Sequence, residues 1–269
     1  MKKIILVTGS TDGIGLATAE MLASQDHHVL LHGRNAAKLE TVAKALSDLS
    51  ARGRVETYLA DLSRMEDVTA LAQAVAEQHD KLDVLINNAG VYNAAEQVTQ
   101  DGLDVRFAVN TIAPYLLTQR LMPLLGARGR VINISSAAQS VVDPEALAGT
   151  VESSDYDAYA QSKLALTMWS RSLGLSMKDD GPAIIAVNPG SMLGSKMVKD
   201  AFGVAGGDLQ IGAEILTRAS LSDEFAAATG QYFDNDSGQF AAPHVDALDP
   251  QKSAELVRAI EAILPGLTG

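Results

Sequence analysis

No cysteine occurs among the 269 residues, which excludes disulfides, thiolate metal sites and a cysteine nucleophile. No apolar run is long enough to span a bilayer. Positive charge is in deficit: 21 Lys and Arg against 33 Asp and Glu leave a net charge of -12. That balance argues against nonspecific nucleic-acid binding and against an anionic membrane surface. The histidines at 27, 28, 32, 79 and 244 show no metal-ligand spacing, so structural or solvated roles are expected for them. Internal repeats, low-complexity tracts and interdomain linkers are lacking as well. The opening MKKIILVTGS starts basic, but its apolar run is too short for a signal peptide and meets glycine instead of a cleavage site. It reads as a strand. A cytoplasmic protein acting on small molecules is the expectation.

What is present is alternation. Short β-branched or apolar runs (KIILVT, VLLHG, VETYLA, LDVLINNAG, RVINIS, AIIAVNPG) are separated by longer stretches of helical period. The stretch GLDVRFAVNTIAPYLLTQRLMPLL reads as one long helix bent near Pro114. GQYFD is expected to be a last strand, and DPQKSAELVRAIEAIL a terminal helix capped by Asp249 with Pro250 in its first position. Continuous apolar strands alternating with helices predict an α/β fold, a doubly wound parallel sheet of about seven strands with helices on both faces. One domain over 1–269 is expected.

Two local patterns carry chemistry. VTGSTDGIG lies between the first strand and first helix, with Gly9, Gly13 and Gly15 around Ser10, Thr11, Asp12 and Ile14. Glycines there permit a tight turn and close backbone approach, and the helix N-terminus favours a pyrophosphate. A glycine turn without a ligand fits three glycines alone, but the position after the first strand favours a nucleotide loop. In DAYAQSK, Tyr159 and Lys163 are four apart at a helix start and share one face. Taken alone, the pair is an amphipathic tyrosine beside a solvated lysine, or a phenol whose proton affinity an ammonium lowers.

The glycine loop, NNAG at 87–90, NISS at 133–136, YAQSK at 159–163 and NPG at 188–190 together resemble the short-chain dehydrogenase/reductase family, in the family's order and over nearly the whole chain. The region 101–125 and the wide spacing from Ser136 to Tyr159 look most like its retinol-dehydrogenase-like branch. The resemblance implies a Rossmann-type sheet, with 1–130 mainly holding cofactor and 131–269 carrying catalysis and substrate. It implies Tyr159 as acid and base, Lys163 beside it and on the nicotinamide ribose, Ser136 on the substrate oxygen with Ser135 as neighbour, and Asn110 holding a relay water. Tyr156 is a rival, but Ala160 stands where its lysine would be.

Cofactor choice is read at the end of the second strand, where LHGRNAAK offers Arg34, followed by Asn35, and no acid before Glu40. An arginine there accepts the extra phosphate, so NADP is expected over NAD. Asp12 is a counter-signal, since a carboxylate pointing inward would repel that phosphate. By resemblance Asp61 and Leu62 lie beside the adenine, Asn88, Ala89 and Gly90 follow the fourth strand, and Pro189, Gly190 and Ser195 reach the nicotinamide end. Met192, Leu193, Met197, Val198 and Phe202 suggest an apolar carbonyl or alcohol as substrate. The stretch Val141–Leu147 is expected to fold over the pocket mouth. The expected activity is carbonyl–alcohol interconversion by hydride transfer; the alternative is an NADP-binding redox sensor without turnover. The family's habit implies a homodimer or homotetramer.

Overall fold

The computed structural model describes residues 1–49 and 53–268. In chain order the elements are β1 (Ile4–Val7), α1 (Gly13–Ser24), β2 (His28–Gly33), α2 (Ala36–Leu49), β3 (Arg54–Leu59), α3 (Met65–Gln78), β4 (Val84–Asn87), α4 (Val105–Phe107) and α5 (Ala113–Leu125). There follow β5 (Arg130–Ile134), α6 (Pro144–Leu147), α7 (Asp155–Ser176), β6 (Ala183–Asn188), α8 (Lys196–Phe202), α9 (Leu209–Leu221), β7 (Tyr232–Asp234), β8 (Gln239–Ala241), α10 (Val245–Leu248) and α11 (Pro250–Ile263).

The strands form one eight-stranded sheet in the order β3-β2-β1-β4-β5-β6-β7-β8. All neighbours are parallel except β8, which returns antiparallel along β7. That eighth strand exceeds the expected number because it is only three residues of a hairpin, too short to show a period. Side chains alternate across the sheet. Leu6, Leu30, Leu85, Val131 and Ile184 enter the core shared with α3, α5, α7 and α11. Val7, Leu31, Ile86, Ile132 and Val187 enter the opposite core, beneath α1, α2 and α9. This is the doubly wound α/β sheet, and its strand order reverses between β1 and β4. The loops leaving those two strands therefore part on opposite faces and open a crevice at their carboxyl ends.

Two departures from the sequence reading bear on that crevice. The long helix contains a π turn, Ala108–Ile112, immediately before Pro114. The N–H of Ala113 reaches back to the carbonyl of Ala108, so the helix widens before the proline that cannot donate. The second departure is a correction: Val141–Leu147 does not cover the pocket. Asp143 caps the short α6, whose Ala146 and Leu147 are buried in the core shared with Leu103 and Phe107. Its backbone is tied inward by the Asp143 N–H donating to Gln161 Oε1 at 2.8 Å. Burying Leu147 against the main core outweighs lying over an open cleft. No helix among the described residues is long and apolar enough to cross a membrane.

Candidate active site

The crevice is a cleft of about 600 Å³ that runs from the glycine loop, past the end of β4, to α7 and α8. Its floor is built by close backbone packing. Gly9 and Gly13 hold φ of 63° and 56°, a region that disfavours side chains. A Cβ on Gly9 would lie 2.8 Å from Ala89 Cα, and one on Gly15 would overlap the Gly9 carbonyl and Asn88 Nδ2. Asn88 Nδ2 donates to the carbonyls of Thr8 and Gly9 at 2.9 and 3.1 Å. Thr8 Oγ1 accepts from the N–H groups of Asn88 and Ala89, both at 3.0 Å. The glycine loop and the NNAG loop are thus one unit, open toward the N-terminus of α1. Its backbone fits a pyrophosphate.

His32, for which a structural or solvated role is expected, fixes this unit from below. Its Nδ1 accepts from the Gly9 N–H at 3.1 Å, and its Nε2 donates to the Ala60 carbonyl at 3.2 Å. Desolvation lowers its pKa to about 4, so the ring is neutral at physiological pH. The unfolded chain then binds more protons than the native one between pH 6.5 and 4. Stability from His32 is full above about 6.5 and is lost as pH falls toward 4, by about 3 kcal/mol in all. The unfolding free energy of His32→Asn is expected to fall less than wild type's over that window, in urea melts at stepped pH. Parallel curves would show that His32 is not the buried base.

Several expected cofactor residues are placed differently. Ser10 is fully buried and outside the cleft lining, because its Oγ accepts from the His32 N–H and donates to the His32 carbonyl. Asn35 is exposed and also off the lining, its Oδ1 accepting from the Lys38 N–H at the start of α2. Both polar groups satisfy nearby backbone. Arg34, Asp61 and Leu62 do line the cleft, beyond the end of β2 and near β3. Asp12 spends its carboxylate on the Gly13 N–H, as N-cap of α1, and lies 3.9 Å from Lys38 Nζ.

At the far end, β5 and α7 bring together Ser136, Tyr159 and Lys163. Ser154 caps α7, and its second and third turns present the tyrosine and lysine to the cleft. Burial pushes the Tyr159 phenol above its ordinary value; the hydrogen bond with Ser136 opposes this, and Tyr92 adds to it. The net shift is therefore upward, opposite to the lowering that the neighbouring Lys163 led one to expect. Lys163 Nζ lies 5.6 Å from the Tyr159 ring centroid and donates to the Ile134 carbonyl at 2.7 Å. Burial lowers its pKa to about 8. Ser135 also lines the cleft, but its Oγ is engaged 2.7 Å from Thr167 Oγ1, and it is Ser136 that hydrogen-bonds Tyr159. Tyr156 is more than half exposed at the rim.

Asn110 sits in the π turn, buried and off the cleft lining. Its amide accepts from the Val91 N–H at 2.8 Å and donates to the Val91 carbonyl at 2.9 Å and Ser162 Oγ at 3.0 Å. The side chain straps the NNAG loop to α7.

The outer wall is aromatic and was only half legible. Tyr92 packs in tilted contact with Tyr159 and Phe202, with ring centroids 5.0 and 5.6 Å apart. Its place two residues past NNAG was the available signal. The helix α8 has no buried residue. Ser195 caps it and approaches Gly13, where an added Cβ would lie 3.6 Å from Ser195 Cβ. The turn before it carries Met192 at a left-handed φ of 53°.

Residues 3–204 match the model of a family described as short chain dehydrogenase. Human retinol dehydrogenase 13 is 28% identical over 270 residues, covering 91% of this chain and 80% of the relative. A solved structure of an uncharacterised protein from Mycobacterium paratuberculosis superposes with a TM-score of 0.81 over 98% of this chain and 93% of the other, at 24% identity, a likeness of fold. The Pseudomonas aeruginosa RhlG/NADP active-site complex superposes with a TM-score of 0.70 at 27% identity, over 88% of this chain and 95% of that one.

Proposed function

The chain belongs to the short-chain dehydrogenase family, in its retinol-dehydrogenase-like branch, and is an oxidoreductase acting on CH–OH groups; from that premise we propose an NADP-dependent interconversion of an apolar carbonyl and its alcohol, with Tyr159 as acid and base. The observation that carries this reading is the meeting of Ser136, Tyr159 and Lys163 at one end of a cleft whose other end is the glycine loop.

NADP(H), when bound, supplies the hydride acceptor or donor. Gly9, Gly13 and the N-terminus of α1 would hold its pyrophosphate, and Asn88, Ala89 and Gly90 its middle. In reduction, Ser136 and Tyr159 hold the substrate oxygen by hydrogen bonds. As the carbonyl is reduced, Tyr159 would pass its proton to the substrate oxygen and be left as a phenolate. A phenol held above its ordinary pKa is protonated at neutral pH, as a proton donor must be. The Lys163 ammonium offsets the charge that develops. Oxidation runs the same transfers in reverse. Tyr92, Met192 and Phe202 give the substrate an apolar wall, which supports an apolar substrate without selecting one.

Arg34 carries the cofactor choice. It is exposed on the cleft lining and has no ion pair among the described residues. A charge-assisted hydrogen bond to the extra phosphate contributes about 1.5–3 kcal/mol. Arg34→Ala is therefore expected to weaken NADPH by about one to two decades while NADH changes little, read by fluorescence titration. Equal losses for both would mean that Arg34 does not read the phosphate, and native preference for NADH would overturn the NADP assignment. Turnover across a panel of alcohols, aldehydes and ketones tests the enzyme itself. Tight NADPH binding with no turnover would favour the redox-sensing regulator.

A further inference from the structure

At the opposite ends of the strands lies a second convergence of functional groups, made by residues far apart in sequence. His28 opens β2, Glu56 is in β3, and His79 follows the last residue of α3. Glu56 Oε1 is 2.9 Å from His28 Nε2, and Glu56 Oε2 is 3.1 Å from His79 Nε2. The side chains are 9%, 12% and 6% exposed for His28, Glu56 and His79 respectively. Tyr58 OH lies 3.0 Å from His79 Nε2 and 3.3 Å from Glu56 Oε2. The two imidazoles meet edge to face, with centroids 5.3 Å apart. Among the described residues this is the one trio of His, Asp or Glu donors that converges within 4.8 Å.

We propose that His28, Glu56 and His79 form a structural site for a divalent transition metal of the zinc type, with Tyr58 or water as the fourth donor. Two imidazole nitrogens and a carboxylate are a zinc donor set. Donors held roughly 2.0–2.1 Å from a tetrahedral ion sit about 3.3 Å from each other. The two histidine–carboxylate spacings are close to that and the three donor atoms lie within 4.8 Å of one another, so side-chain adjustment alone would let the ion enter. Each imidazole then carries its single proton on Nδ1 and offers Nε2 to the metal. The carbonyl end of α3, where His79 sits, also favours a cation. The expectation that these histidines were merely structural rested on spacing along the chain, which the packing of β2, β3 and α3 bypasses.

One group opposes the cation. Arg54 Nε is 2.9 Å from Glu56 Oε1, but its side chain is 68% exposed and is free to swing into water. It acts as a displaceable lid on the carboxylate. Occupancy would fasten β3, the edge of the sheet, to β2 and α3.

The test uses untagged, full-length protein stripped with EDTA, desalted and titrated with Zn(II) against a chromophoric chelator. One equivalent is expected to bind at micromolar affinity or tighter and to raise the thermal midpoint. His28→Gln and His79→Gln are expected to weaken zinc by more than the roughly 10–100-fold typical of outer-sphere partners, with far-UV circular dichroism confirming the fold. Arg54→Ala, which removes only the opposing charge, is expected to tighten binding about fivefold. Co(II) is expected to show the intense visible bands of a four-coordinate centre. Substoichiometric binding, or a stoichiometric equivalent unaffected by all three substitutions, overturns the proposal and leaves a hydrogen-bonded cluster.

Discussion

Tyr159→Phe is expected to lower kcat for carbonyl reduction by about 10²–10⁴-fold, the range attributed to a positioned general acid. The substitution removes one oxygen and leaves the ring. Its packing against Tyr92, 5.0 Å between centroids, is retained, so the aromatic wall keeps its shape. Ser136 loses its partner but stays accessible to substrate and water. NADPH affinity is therefore expected to be nearly unchanged, because the glycine loop, Arg34 and Lys163 remain in place. Tyr156→Phe is the control. It alters a rim residue that is 54% exposed, and native turnover is expected. The reverse pattern, with Tyr159→Phe active and Tyr156→Phe dead, would show that the proton travels through the wrong-facing tyrosine and that the geometry at Ser136 is incidental. Stopped-flow measurement of NADPH oxidation separates the chemical step from product release in either case.

The parts of this site that were legible in the sequence are those fixed by backbone geometry. Tyr159 and Lys163 had to share a face because four residues make about one helical turn. Gly9 and Gly15 had to mark a close approach, and the structure shows backbone where their side chains would be, whereas Gly13 is required by its positive φ. The apolar runs of β1, β4 and β6 could only be buried strands. What stayed hidden was the direction in which short polar or amphipathic groups turn. Ser10 and Asn35 lie in the right loops, yet each bonds to neighbouring backbone, a choice decided within a few ångströms. Leu147 is as apolar as any pocket residue, and nothing local tells whether it meets substrate or core. His32 and the trio His28, Glu56 and His79 act only through strand neighbours, which become known once β1, β2 and β3 are placed in order. Long-range register was the missing information.

Lys163→Met is expected to separate function from stability. Lys163 is 4% exposed, and its Nζ has the Ile134 carbonyl as its hydrogen-bond acceptor at 2.7 Å. Burial lowers its pKa from 10.5 to about 8. The unfolded chain therefore binds more protons than the native one between pH 8 and 10.5. Stability consequently rises with pH across that window, and below pH 8 the charged lysine costs about 3 kcal/mol relative to its solvated state. Methionine fills a similar volume without that cost, although it leaves the Ile134 carbonyl unpartnered at about 1–3 kcal/mol. The variant is therefore expected to match or exceed wild-type stability at pH 7 in urea melts. Its turnover is expected to collapse by about 10²–10³-fold, as when one preorganised charge-stabilising group is lost, and its NADPH affinity to fall. Wild-type reduction should also decline above pH about 8, because a neutral amine no longer offsets the phenolate left on Tyr159. A Met variant that is both active and markedly unstable would mean that Lys163 is held for packing, and that the site's positive charge lies elsewhere. A stable, inactive one shows a buried ammonium kept at the expense of the fold for the reaction it supports.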